Sequence, residues 1–149
     1  MRKIKHIVIH CTATVEGKSF SASDIDRWHK ERGWKGIGYH YVIGLDGTIE
    51  EGRAENKIGA HVKRHNRHSI GIAYIGGLNK RLSPKDTRTR KQKRALKELL
   101  ITLKRKYPQA IILGHRDFSE DLNRNGIIEP FEFSKACPCF DARKEYRNL

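Results

Sequence analysis

The chain has 149 residues, 37% of them apolar, which is one domain's length and enough apolar material for a buried core. Lys and Arg number 31 against 17 Asp and Glu, and the net charge of +14 points to an anionic partner without naming it. No apolar run approaches the ~20 residues of a membrane helix, and three cysteines do not make a disulfide framework. The basic start, Met1 to His6, is followed by an apolar stretch that ends at His10. That stretch is too short for a secretory leader, so synthesis in the cytoplasm is expected.

Ile4 to Cys11 is apolar and β-branched and predicts a buried strand, with Ile4, His6, Val8 and His10 on one face. Ser21 and Asp24 form a capping-box pattern that opens a helix. Ile25 and Trp28 give its buried stripe, and Gly33 closes it. Tyr39 to Ile43 and Thr48 to Glu51 read as a hairpin turning at Gly44-Leu45-Asp46-Gly47. Ser69 to Gly76 is another strand. Ser83-Pro84 predicts the start of a long helix over 85–106, with Asp86 in its first turn. Leu96, Leu99, Leu100, Leu103 and Tyr107 share its buried stripe. A short strand, Ile111 to Gly114, ends at His115, and a polar loop spans Ser119 to Pro130. Cys137-Pro138-Cys139 begins a last helical segment. The order predicts an α/β fold, one domain over 1–149, with a mixed central sheet flanked by helices.

Eight histidines is high for this length. His10 and His115 each stand at the C-terminal end of a predicted strand, where α/β sheets line their ligand crevices. With Cys137 they make a Cys-His-His set that suits a catalytic zinc, which takes three protein ligands and a water. On spacing alone the same residues also read as partly buried histidines and an inert cysteine.

Three segments go further. The first is Ile7-Val8-Ile9-His10-Cys11-Thr12-Ala13-Thr14. The second runs from Ile25-Asp26-Arg27-Trp28-His29-Lys30 through Gly33-Trp34 and Ile37-Gly38-Tyr39-His40-Tyr41 to Gly52-Arg53. The third is Gly114-His115-Arg116-Asp117 with Lys135-Ala136-Cys137-Pro138-Cys139-Phe140-Asp141. Gly59-Ala60-His61 and Ser69-Ile70-Gly71-Ile72 fit the same pattern. In order and over nearly the whole chain, these resemble the zinc-dependent N-acetylmuramoyl-L-alanine amidases of phage-lysozyme type, relatives of the animal peptidoglycan recognition proteins.

The resemblance implies a mixed sheet with a few helices and hydrolysis of the amide between N-acetylmuramic acid and L-alanine in peptidoglycan. It places the zinc ligands on His10, His115 and Cys137. It places the motif tyrosine on Tyr39, which would orient the water or assist proton transfer, the first favoured because a phenol is a poor base at neutral pH, and an oxyanion-stabilising lysine on Lys135. His61 matches a position near the substrate groove. Cys139 stands where Gly or Ser commonly follows the proline, and Cys137 is the expected ligand. It also implies an endolysin-like monomer that reaches the wall after another protein opens the membrane. The rival readings are a non-catalytic peptidoglycan-binding module, which loss of the Cys ligand would signal, and a basic nucleic-acid-binding domain.

Among the other histidines, His6 lies ~13 Å along the strand from His10 and is expected to be structural. His29 is expected on a helix surface. His40 points away from Tyr39 into packing, and His65 and His68 are expected in a solvated basic loop.

Residues 121–132, Asp-Leu-Asn-Arg-Asn-Gly-Ile-Ile-Glu-Pro-Phe-Glu, match the twelve-residue calcium loop. Asp121, Asn123 and Asn125 would give side-chain oxygens, Ile127 its carbonyl, and Glu132 both carboxylate oxygens. Glu129 would act through water, and Gly126 permits the turn. Bound Ca2+ would support the zinc site rather than catalyse; the alternative, with no helix before Asp121 and Pro130 inside the loop, is a polar insertion whose Asn and Gly simply turn. The predicted helix 85–106 carries a net +8, suited to anionic cell-envelope polymers. It offers no aromatic before Tyr107 for stacking on bases, so no specific nucleic acid is expected.

Overall fold

The computed structural model describes residues 2–149. Its organising strand is β1 (His6–Cys11), a β-branched run with five of six residues buried. β1 pairs in parallel on both sides, with β5 (Ser69–Tyr74) and with β7 (Ile111–Gly114). Beyond β5 lie β3 (Tyr41–Ile43) and its antiparallel hairpin partner β4 (Ile49–Glu51), giving five strands in the order β4-β3-β5-β1-β7. The Asp46-Gly47 turn forms this hairpin as expected, with Gly47 at φ +86°. A separate two-stranded pair joins β2 (Thr14–Val15) to β6 (Gly77–Leu78).

Alternation along β1 divides its residues between two cores. Ile7, Ile9 and Cys11 pack with Leu96, Leu100 and Leu103 of α2 (Arg90–Lys106). On the other face α1 (Ala22–Glu31) packs Ala22 and Ile25 with Val42 and Ile75. The mixed sheet flanked by helices is the architecture expected from the sequence. His10 lies on the α1 side with a relative exposure of 1%.

The expected capping box of α1 is present, with Ser21 Oγ accepting from Asp24 N–H and Asp24 Oδ2 accepting from Ser21 N–H. The start of α2 differs from the expectation at Ser83-Pro84. The helix begins at Arg90 with Thr89 as cap, where Thr89 Oγ1 accepts from Gln92 N–H and Gln92 Oε1 accepts from Thr89 N–H. This reciprocal box satisfies two free amides, where a lone serine satisfies one. Ser83 instead closes a turn on Asn79, and Lys85 leaves to pair with Glu16. The last helix, α3 (Ala142–Glu145), starts after Asp141 rather than at Cys137, because residues 136–139 form a turn. His29 is buried rather than on the surface, since its Nδ1 accepts a hydrogen bond from Gly38 N–H at 2.9 Å.

Arg88 anchors the C-terminal segment to the rest. Its side chain is 1% exposed and reaches both Asp86 and Glu145 at 2.9 Å. Its guanidinium lies 3.3 Å over the Phe140 ring. Burial opposes the charge, but the two carboxylates outweigh it and hold the guanidinium ionised. Removing one partner of such a group leaves the others unpaired. Arg88→Ala is expected to cost about 3–5 kcal/mol in urea unfolding. Arg88→Lys should recover only part, because an ammonium cannot span both carboxylates.

Candidate metal centre

The register of β1 on β7 sets Ile9 opposite Gly114. The next residues, His10 and His115, therefore emerge side by side at the strand ends, with ring centroids 4.7 Å apart. His115 opens a 3-10 turn, fixed where Asp117 Oδ2 accepts from Gly114 N–H at 2.8 Å. The loop carrying Cys137 returns over these ends. Arg116 N–H donates to Cys137 O at 2.8 Å, and Cys11 N–H donates to Cys137 Sγ at 3.2 Å. The ligand atoms of His10, His115 and Cys137 lie within 4.8 Å of one another. Cys139 turns away, with its sulfur 3.9 Å from Cys11 Sγ and donating to Gly77 O.

Behind His10 lies His61. His10 Nε2 and His61 Nδ1 are 2.8 Å apart, and His61 Nε2 and Ser69 Oγ are 3.1 Å apart. Both ring nitrogens of His61 are thus engaged within the protein. Its ring lies flat on β5, where a Cβ at position 71 would come within 2.6 Å of it, so only Gly71 fits. Burial, then the nearby His61, His115 and Lys135 charges, holds the His10 pKa far down. Burial and Lys135 lower His115 to about 4. Burial, then His40 and other cations, lowers His61 to about 3. All three imidazoles are neutral at pH 7, the form that binds a metal.

The cluster floors a cavity of about 280 Å³. Tyr39 packs against His10 at 5.1 Å between ring centroids, and burial pushes its hydroxyl above the ordinary tyrosine value. Lys135, exposed at the rim, lines the same cavity. So do Trp28, Arg32 and Trp34, which singled themselves out less in the sequence. Trp34 is 40% exposed, packed at a tilt against His29 and approached by Arg32. A large aromatic beside a glycine, outside any apolar period, was the available signal.

Other expected residues lie elsewhere. His6 packs edge-on to Phe118, away from the cluster. His40 is buried and bonded to Gly71 N–H and Lys57 O. His65 is exposed, and His68 contacts Lys3 O. The segment 121–132 forms a folded loop beside the Cys137 strand of chain, with Asp121, Asn123, Asn125 and Glu132 turned into internal hydrogen bonds.

Residues 1–138 match the N-acetylmuramoyl-L-alanine amidase family profile. The endolysin of Klebsiella phage KP32 is 36% identical over 143 residues, covering 96% of this chain and 85% of that protein. The amidase LysC from Clostridium intestinale superposes with a TM-score of 0.68 at 34% identity, over 88% of this chain and 82% of its own. The Drosophila recognition protein PGRP-LB gives 0.73 at 26% identity, over 100% and 82%. With this fold and this cavity, the chain belongs to the N-acetylmuramoyl-L-alanine amidase family and is a peptidoglycan-lysing amidase.

Proposed function

We propose that the enzyme is zinc-dependent and cleaves the amide joining the lactyl group of N-acetylmuramic acid to L-alanine. The observation that carries this is the convergence of His10, His115 and Cys137 within 4.8 Å on the floor of a cavity that also presents Tyr39 and Lys135. Tetrahedral zinc sets such ligand atoms about 3.3–3.6 Å apart, so about an ångström of adjustment closes the set. Two neutral imidazoles and one sulfur are a zinc donor set. Zinc bound there would supply an acidified water and polarise the scissile carbonyl.

The chain's own groups do the rest. Lys135 places a flexible ammonium at the rim, where negative charge develops on the carbonyl oxygen. Tyr39 keeps its proton at neutral pH, so it orients by donating a hydrogen bond and does not serve as the base. His61 works through His10. If His10 Nε2–H donates to His61 Nδ1 and His61 Nε2–H donates to Ser69 Oγ, the lone pair of His10 Nδ1 stays free for the metal. The opposite direction would put a proton there. His61 thus acts as a positioning residue through His10, while its ring edge also lines the cavity beside His10 and His115. Outside the cavity, the exposed cations of α2 draw the enzyme to anionic envelope polymers at the cell wall. No helix is long and apolar enough to cross a membrane.

Metal analysis of the chelator-free protein is expected to find about one zinc per chain. Cys137→Ser should lose both the zinc and the release of peptide stems from purified peptidoglycan. A chain without zinc that still retains peptidoglycan in a pull-down would instead be a binding module. Lys135→Met should keep its zinc and lose roughly 10²–10³ in kcat. Tyr39→Phe should also keep zinc and fall mainly in kcat. His61→Ala should weaken zinc about 10–100-fold in chelator competition. His61→Asn, whose amide oxygen can accept the His10 proton, should restore part of that affinity.

A further inference from the structure

We propose that residues 121–132 form a calcium site that braces the segment carrying Lys135 and Cys137. Binding at the loop stands apart from the zinc reading, and only its effect on Cys137 rests on that reading.

The order of oxygen donors is that of a twelve-residue calcium loop, with Asp121, Asn123, Asn125, Ile127 and Glu132 at the ligating positions. The fold adds an electrostatic observation that the sequence does not contain. Asp121 Oδ1 is buried and, alone among the buried side-chain nitrogen and oxygen atoms of the described residues, has no hydrogen-bond partner. Its other oxygen accepts from Gly126 N–H at 2.7 Å, so the carboxylate faces into the loop. Glu132 is only 4% exposed, and its oxygens meet just the amides of Leu122, Asn123 and Glu129. In a chain with 31 Lys and Arg, none of the ion pairs among the described residues includes Asp121, Glu129 or Glu132. A buried carboxylate such as Glu132, or a buried oxygen such as Asp121 Oδ1, is costly without a countercharge, and a cation removes the cost.

The donor chemistry selects the ion. All the donors are oxygens, two of them carboxylate and two amide, with a carbonyl between. That set suits a hard cation of high coordination number and lacks the nitrogen and sulfur that zinc prefers. Magnesium would demand a tighter octahedron and keep its waters.

The loop's position gives the consequence. Its stem is tied where Ser134 N–H donates to Ser119 Oγ at 3.0 Å. Immediately after the stem come Lys135 and Cys137. Before it stands the 3-10 turn that begins at His115. A cation that orders the loop thereby fixes the spacing between two zinc ligands and the lysine.

The test is calorimetric titration of calcium chloride into the full-length, zinc-loaded chain in metal-depleted buffer, with melting curves alongside. One saturable site is expected, with a Kd of roughly 10⁻⁵–10⁻³ M and a raised Tm. Magnesium should give neither. Asp121→Asn and the exposed-site variant Asn125→Ala should each weaken calcium at least about tenfold while keeping their zinc. Calcium should also slow zinc loss to a chelator in the wild type and not in these variants. No saturable heat and no melting shift up to about 10 mM calcium would overturn the site. So would an undiminished response in both variants, which would place the ion elsewhere. Binding that leaves zinc loss unchanged would overturn the bracing role. The same titration on zinc-free protein reads the loop even where the zinc reading fails.

Discussion

The site depends on the pairing of β1 with β7. Ile9 opposite Gly114 is the register that brings His10 and His115 together at adjacent strand ends. The side-chain period of a strand is two, so a slip of one residue would send His10 into the α2 core and turn Cys11 toward the cavity. The apolar faces prevent that slip. Ile7, Ile9 and Cys11 belong to the core that α2 covers, and they cannot trade places with Val8 and His10 without burying imidazole against leucines.

The third member of the cluster arrives differently. Cys137 lies in a segment without regular structure, held by single bonds to the framework. Arg116 N–H and Cys11 N–H reach its carbonyl and sulfur, and the Tyr74 hydroxyl donates to Pro138 O at 2.6 Å. Two members of the cluster are therefore set by the sheet and one by a loop anchored on it. Farther along the same segment, Arg88 clamps Glu145 and lies over Phe140, so the end of the chain is secured independently of the sheet ladder.

Charge is partitioned to match. The exposed cations of α2 give the protein its basic outer surface, while the cavity floor holds three neutral imidazoles in apolar surroundings. Lys135 stands exposed at the rim of the same cavity. Its charge adds to burial, the larger cause, in lowering His10 and His115.

The sequence by itself determined the elements whose signals are local. The β-branched run of β1, the Ser21–Asp24 box and the Asp46-Gly47 turn need only neighbours along the chain. The linear motifs around His10, Tyr39, His115 and Cys137 likewise named the chemistry. What only the tertiary structure decided involves partners far apart in sequence. The long helix starts at Arg90, capped by Thr89, because a full capping box satisfies more amides than Ser83 can and because Arg88 turns inward to Glu145. His29 is buried because Gly38 N–H needs an acceptor. Cys137 rather than Cys139 joins the histidines because its sulfur meets the Cys11 amide, while Cys139 turns toward Gly77. His61 sits behind His10 because Gly71 leaves room for an imidazole on the strand. Residue types and spacing carry local preference, but the direction of a side chain is settled by the group that satisfies it, and that group is brought by the fold.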